Sequence, residues 1–199
     1  MRLLLFLPPL LVSASQPAAA HQVDPVVGRM LVLYDEVCLR AFPDDVAVDA
    51  LMEQKGAEPL TPEQVSVTFN DDPGRGWLVP DDDRRIQVML ELPPFHACSV
   101  RRRTESGLGD PAAYNSLIEP FIAARPGFER ADPYSAELNG MSITATVLRR
   151  ETAEGIAENL LVVEQRGLTE EGSSQDSPLV DLRFVHQLSE NRNAKPRQR

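Results

Sequence analysis

The chain has 199 residues, a formal net charge of -10 at pH 7 and 42% hydrophobic residues. This length and apolar content allow one sizeable core without metal ions or many disulfides. The acidic balance argues against binding to a phosphate backbone, which requires clustered Lys and Arg, and against adhesion to anionic membranes. We therefore expect no nucleic-acid partner, and no motif in the sequence requires a cofactor.

The first 20 residues have the layout of a secretory signal peptide. Arg2 precedes an apolar run from Leu3 to Val12, and small residues follow up to Ala20. A charged start, an apolar stretch and an A-x-A end are typical of a cleaved leader, and this run is too short to span a bilayer. A short buried N-terminal helix is the alternative. We expect cleavage after Ala20, or else after Ser15, and a periplasmic or secreted product with no stable membrane insertion.

Two helices are predicted at the start of the mature chain. Asp24 and Pro25 are typical N-cap and first-turn residues, and Pro43 stops the helix that they begin. Asp44 or Asp45 can cap a second, shorter helix. Apolar residues at i, i+3, i+4 spacing predict the buried stripe of the first helix. The stripe consists of Val27, Met30, Leu31, Tyr34, Val37, Cys38 and Ala41.

Strands dominate the rest of the chain. "GWLVP", "RRIQVMLEL" and "FHACSVRRR" predict strands, of which the last two form an antiparallel pair across a proline-marked turn. Before them, Thr61 and Pro62 begin a turn, and "VSVTFNDDPGRG" alternates briefly and then breaks. Asp110 and Pro111 begin a third helix, which Pro120 kinks. "NGMSITATVLRR", "ENLLVVEQRG" and "SPLVDLRFVHQL" predict three further strands, with a loop at "EEGSSQDS".

The order of elements predicts the fold class. Strands follow one another without the regular helix alternation that a parallel sheet needs. We predict a single α+β domain at residues 21–188, with a mainly antiparallel sheet and helices packed on one face. Residues 189–199 are predicted to be a disordered polar tail.

Cys38 and Cys98 are the two cysteines of the chain. Both fall at core-facing positions of their predicted elements. In an exported chain this arrangement favours a disulfide, which would tie the first helix to a central strand. Two buried free thiols, or one reactive thiol near a histidine, are the alternatives. The chain has no C-x-x-C pair to supply exchange chemistry.

The three histidines are weak candidates for metal ligands. If cleavage follows Ala20, the mature chain begins with His21, whose α-amine and imidazole could hold copper together with a second histidine. His96 and His186 are the possible partners, but neither has ligand-like spacing. A frayed terminus is the simpler interpretation of His21, and His96 is the better candidate for a core or edge histidine. We therefore predict no metal site, with His21 as the one remote candidate.

The charged runs also have simple explanations. Alternate side chains of a strand point to opposite faces, so only two of Arg101, Arg102 and Arg103 can converge on an anion. A solvated strand end paired with nearby acids is the simpler interpretation of this run. The acidic runs Asp71–Asp72 and Asp81–Asp83 lack the spacing of calcium loops and indicate turns. We find no catalytic signature such as G-x-S-x-G or H-E-x-x-H and name no catalytic residue.

The segment "VCLRAFPD" at the end of the first helix and the later "HACSV" strand resemble small uncharacterised exported proteins of proteobacteria. In those proteins a signal peptide precedes a Cys-bearing helix, a Pro-Asp break and a second Cys in a strand. The resemblance covers residues 21 to 103. It implies a periplasmic address and a pairing of Cys38 with Cys98, and it implies no activity.

Two classes of function follow. The leading hypothesis is a non-enzymatic domain that binds a protein, an envelope component or a small ligand. Its surface would be the sheet face opposite the helices, with Ser142, Thr144 and Thr146. The alternative is a small hydrolase or other enzyme whose site assembles only in space. That alternative needs a deep pocket that holds His96 or His186 beside a Ser, a Cys or a carboxylate.

Overall fold

The computed structural model describes residues 24–81, 85–138, 140–167 and 179–190. The predicted signal peptide, His21 and the loop at 170–177 lie outside these ranges. The helices are α1 (Pro25–Tyr34), continued by a π-helical segment (Asp35–Ala41), α2 (Asp45–Gln54), α3 (Pro62–Phe69) and α4 (Ala112–Ala123). The strands are β1 (Glu58–Pro59), β2 (Gly74–Val79), β3 (Ile86–Glu91), β4 (Ala97–Thr104), β5 (Glu129–Arg130), β6 (Tyr134–Leu138), β7 (Met141–Glu151), β8 (Ile156–Gly167) and β9 (Val180–Glu190).

The strands form one 9-stranded sheet in the order β1-β2-β3-β4-β9-β8-β7-β5, and β6 also pairs with β7. All the pairings among these strands are antiparallel. The last strand, β9, inserts at the centre of the sheet between β4 and β8. The predicted single α+β domain with a mainly antiparallel sheet is therefore confirmed.

The first helix begins as its sequence predicts, but its last 7 residues, Asp35–Ala41, are π-helical rather than α-helical. The side chain of Asp24 caps it by accepting a hydrogen bond of 2.8 Å from the backbone N–H of Val26. The predicted stripe is buried, with Tyr34, Val37 and Cys38 at 0% exposure. Because the helix ends at a proline, the chain turns away from the sheet there, and Asp44 caps α2.

The sheet face covered by α1, the π-helical segment and α4, here called the inner face, carries the core. Phe184 at the centre of β9 lies 5.7 Å from the ring of Tyr34 and 5.5 Å from the ring of Tyr114. Val88, Val100 and Leu182 are fully buried beside this aromatic cluster. The core therefore joins two helices to the central strands.

Five elements differ from the sequence prediction. Residues 65–69, predicted to alternate and then break, belong to α3, because a reciprocal capping box between Thr61 and Gln64 starts a helix there. This helix lies near the edge of the opposite face, where the ring of Phe69 covers Gly74. Strands β1, β5 and β6 were not predicted. Strand β9 extends to Glu190 and so includes the first two residues of the predicted tail, and residues 191–199 lie outside the described ranges.

Candidate functional site

The arginine run of β4 divides between the two faces of the sheet, as strand alternation predicts. Arg102 lies on the inner face and forms an ion pair with Asp81, and both side chains are only 7% exposed. Asp81 also pairs with Arg29. Burial and the nearby charge of Arg29 lower the pKa of Arg102. Arg101 and Arg103 take the other face, here called the outer face.

On the outer face, arginines of two strands converge on one carboxylate. Arg101 is directly opposite Arg183, and Arg103 is opposite Asp181. The Asp181 carboxylate lies 3.0 Å from Nε of Arg183 and 3.8 Å from Nη2 of Arg101. Burial lowers the pKa of Arg101, and the positive charges of Arg183 and Arg103 lower it further. Within the described residues, this cluster therefore has more positive than negative charge.

The outer face beside the arginines is apolar. Cross-strand pairing continues it from β9 through β8 and β7 to β6. Its half-buried members are Val185, Leu161, Val163, Val147, Ala145 and Ile143. Its most exposed members are Tyr134 and Leu138, each 57% exposed, and Met141 at 39%. An exposed, contiguous apolar patch of this kind marks an interaction surface in most proteins.

A concavity forms where the outer face meets the end of α3. Its volume is about 360 Å³, and its walls include Phe69, Ser99, Arg101, Arg183 and Val185. The guanidinium groups are therefore accessible beside apolar side chains. This combination suits a ligand or partner that presents a carboxylate next to an apolar group.

Ser142, Thr144 and Thr146 do not lie on the outer face, so their assignment to the face opposite the helices was wrong. Thr146 pairs with Val162, which in turn pairs with Phe184 of the core. Alternation separates the two faces of a strand but does not say which face the helices lie on. Here Thr146 lines a concavity together with Tyr114 of α4, Thr144 on the same face stays exposed, and the apolar residues of β7 face outward.

His186 is sealed in the core at 2% exposure. Its Nδ1 lies 2.7 Å from the carbonyl oxygen of Cys38, and its Nε2 lies 2.9 Å from Oε1 of Glu158. Arg150 forms an ion pair with the same carboxylate. Burial raises the pKa of Glu158, but the hydrogen bonds from His186 and Arg150 outweigh this effect and hold the pKa below its ordinary value.

His96 also contacts a carboxylate and an aromatic ring of the protein itself. Its Nε2 lies 2.8 Å from the carboxylate of Asp45, and its ring packs edge-on against Phe42 at 4.5 Å. Neither His96 nor His186 is among the residues that line the concavity beside the arginines. Each histidine does contact a carboxylate, and the enzyme alternative stays a prediction. His21 lies outside the described residues, and the copper hypothesis stays a prediction.

The predicted disulfide between Cys38 and Cys98 is present, with the two Cα atoms 5.3 Å apart. Both cysteines are fully buried, and because they are bonded to each other neither is a free or reactive thiol in this structure. The bond joins the π-helical segment to β4. The carbonyl oxygen of Cys38, in the same segment, is also the hydrogen-bond partner of His186. The disulfide and this hydrogen bond therefore both attach the segment to the sheet.

The acidic runs were interpreted as turns, and the described part of them agrees. Asn70 and Asp71 adopt positive φ values of 53° and 70° in the turn after α3, a conformation that Asn and Asp tolerate better than most residues. Asp81 pairs with arginines, and residues 82–84 lie outside the described ranges. Among the described side chains, no group of three or more His, Cys, Asp or Glu residues is arranged to hold a metal ion.

Sequence analysis missed Asp181, Arg183 and the apolar outer face. The alternation of "VDLRFVHQL" does place Asp181 and Arg183 on one side of β9. However, nothing local in the sequence shows that β9 lies beside β4. The cluster therefore follows from the pairing of β9 with β4, two strands that lie far apart in the sequence.

Comparisons with protein-family models, curated protein sequences and solved structures found no match to this chain. In the part of the chain that the structure describes, no helix combines the length and the apolar character needed to cross a membrane.

Proposed function

We propose that this protein is an exported, non-enzymatic interaction domain whose outer face binds a partner protein with an acidic and apolar surface. The observation that carries the proposal is the convergence of Arg101 and Arg183 on a single carboxylate at the border of an exposed apolar sheet face. The chain as a whole is strongly acidic, with a formal net charge of -10. A local excess of positive charge on such a protein selects negatively charged partners.

The shape and composition of the outer face favour a protein over a small ligand. The apolar area extends across several strands and is open, so a small molecule would bury only part of its surface against it. Tyr, Met and Arg are enriched at protein interfaces, and the exposed Tyr134 and Met141 lie on the same face as Arg183. An acidic group on the partner would pair with the guanidinium groups while apolar side chains cover the strands.

Three observations support a periplasmic or secreted location. The segment from Met1 to Ala20 has the composition of a leader. The disulfide between Cys38 and Cys98 persists most readily in an oxidising compartment. The resemblance to small exported proteobacterial proteins supports the same location.

The test compares two charge reversals of equal size. Arg183→Glu changes the outer face, and Arg40→Glu changes an exposed site on the helical side of the molecule, where Arg40 is 72% exposed. Partners are recovered from the periplasm with the wild type and both variants, and the recovered partner is then purified and its affinity measured. We expect Arg183→Glu to weaken binding about tenfold or more, since a charge-assisted contact contributes about 1.5–3 kcal/mol. Arg40→Glu should leave the affinity unchanged.

A third variant tests the apolar half of the surface. Ile143→Asp places a negative charge at the centre of the apolar area and should also weaken binding. A partner that binds all three variants as tightly as the wild type would overturn the proposal, as would the absence of any protein that wild type enriches over Arg183→Glu.

A further inference from the structure

A second concavity lies at the β1–β2 edge of the sheet, and α3 contributes residues both to it and to the concavity lined by Arg101 and Arg183. We call it the Trp77 cavity. Its volume is about 580 Å³, within the range of roughly 300–1,000 Å³ that is typical of small-molecule sites. Its apolar lining consists of Pro59, Leu60, Pro62 and Val65, together with Trp77, which is only 7% exposed.

The cavity exists because β1 is short. β1 pairs with β2 only through Leu78 and Trp77, so the chain leaves the sheet early and turns into α3. Leu60 then packs directly over Gly76, where a Cβ atom would lie 2.6 Å from Cδ1 of Leu60 and 2.7 Å from Sδ of Met89. The glycine is needed for this close approach. The walls are therefore held by packing and are already formed without a ligand.

The polar rim of the cavity is negatively charged. Its one arginine, Arg75, is engaged by Asp49 and lies 3.6 Å from Asp45. The opposite wall carries Asp71, which accepts a hydrogen bond from Ser66, and Asp72. Burial raises the pKa of the neighbouring Glu91, and the charge of Asp72 raises it further. The lining of the cavity thus includes three aspartates and one arginine.

We propose that the Trp77 cavity binds a small organic cation, namely an amine with an aromatic or branched apolar body. The body packs against the proline and tryptophan side chains, and the ammonium group donates hydrogen bonds to the carboxylates of Asp71 and Asp72. Charge complementarity selects this class, because an anion would be repelled by the same carboxylates and a neutral analogue would lose the charged contact. This inference is independent of the proposed protein partner, since the two surfaces share none of the residues that carry them.

The protein contains its own reporter, since Trp77 is its single tryptophan. The full exported chain is titrated with 2-phenylethylamine, with the neutral 2-phenylethanol and with the anionic 3-phenylpropanoate. Trp77 emission and ligand-observed NMR are followed together, up to about 20 mM, a range that covers fragments of this size. We expect saturable binding of the amine and about tenfold weaker binding of the alcohol, as a charge-assisted hydrogen bond predicts.

Two variants test whether the carboxylates of the rim bind the ammonium group. Asp72→Asn should lower the amine affinity several-fold and leave that of the alcohol unchanged. Asp110→Asn, at the start of α4, removes the same charge far from the cavity and should change neither. Absence of binding in both readouts, equal affinity for all three probes, or equal effects of the two variants would overturn the proposal. None of these outcomes bears on the binding of a protein at the outer face.

Discussion

The two faces of the sheet each hold a carboxylate between two basic side chains, but with different exposure to solvent. On the inner face, Glu158 lies between His186 and Arg150 and is only 4% exposed. On the outer face, Asp181 lies between Arg101 and Arg183, with all three side chains partly exposed. The inner group is closed to solvent, whereas the outer group is open to it.

The same contrast appears between two consecutive residues. Arg102 is buried with Asp81, whereas Arg103 at the next position is exposed. A buried charge that loses its partner destabilises the fold strongly, while an exposed charge contributes little to stability. The residue type alone therefore does not show how much an arginine of β4 contributes to stability. The face of the sheet on which its side chain lies does show this.

The largest effect is expected from the disulfide, which belongs to the inner face. Replacing both Cys38 and Cys98 by Ala removes a cross-link between positions separated by 60 residues. In the chain-entropy model such a loop stabilises the fold by about 4 kcal/mol. Urea unfolding of the double variant should show a loss of that order, whereas Ser99→Ala on the outer face should unfold like the wild type.

Thiol labelling provides the control for this measurement. Denatured but unreduced wild-type protein should react at neither cysteine. Labelling of two cysteines per chain would show that the cross-link is absent in the exported protein and would remove the basis of the stability prediction.

An effect of intermediate size is expected when Arg102 and Arg103 are substituted, since the two substitutions should lower the unfolding free energy by different amounts. Arg102→Gln leaves the buried Asp81 with only Arg29 as an ion-pair partner among the described residues, and we expect a loss of about 2 kcal/mol in unfolding free energy. Arg103→Gln changes an exposed side chain and should cost less than about 0.5 kcal/mol. Urea denaturation of the two variants in parallel measures the difference. Equal losses would mean that the two faces do not differ in the way proposed.

The smallest effect is a pH dependence. The pKa of Glu158 is held below its ordinary value of 4.5 in the folded protein, so its ionised form stabilises the fold at and above that pH. This contribution should be lost as the pH falls below 4.5 through the lower folded-state pKa, because the unfolded chain takes up the proton first.

Two variants separate the contribution of Glu158 from the other effects of acid on stability. The unfolding free energy of the wild type should fall more steeply with acid than that of Glu158→Gln, which has no carboxylate at this position. Gln187→Ala, which removes no titratable group, should follow the wild type. Parallel acid profiles for wild type and Glu158→Gln would contradict the assignment.

Local signals in the sequence account for most of the elements. Asp24 and Pro25 begin α1 because a capping side chain and a proline both suit the first helical turn. Alternating residues define β3, β4, β7, β8 and β9 because successive side chains of a strand face opposite ways. The strands that escaped prediction, β1, β5 and β6, are short or exposed and bury too little apolar surface to leave a periodic pattern.

The candidate site could be predicted only in part. Alternation correctly divided the arginines of β4 between two faces. It could not identify Arg183 as the partner of Arg101, since 82 positions separate them and the contact depends on β9 inserting beside β4. It also assigned the wrong face of β7 to the surface, because the location of α4 depends on packing.

The sequence by itself determined the capped helices, the alternating strands, the leader composition and the inward position of both cysteines. Each of these depends on neighbours a few residues apart, where capping, helical period and strand alternation act. Only the tertiary structure decided which strands pair, on which face of the sheet the helices pack and which charged side chains stay exposed to solvent. These outcomes depend on burying the apolar stripe of α1 and the ring of Phe184 together. That packing seals Glu158 inside and leaves Asp181 with its arginines on the open face.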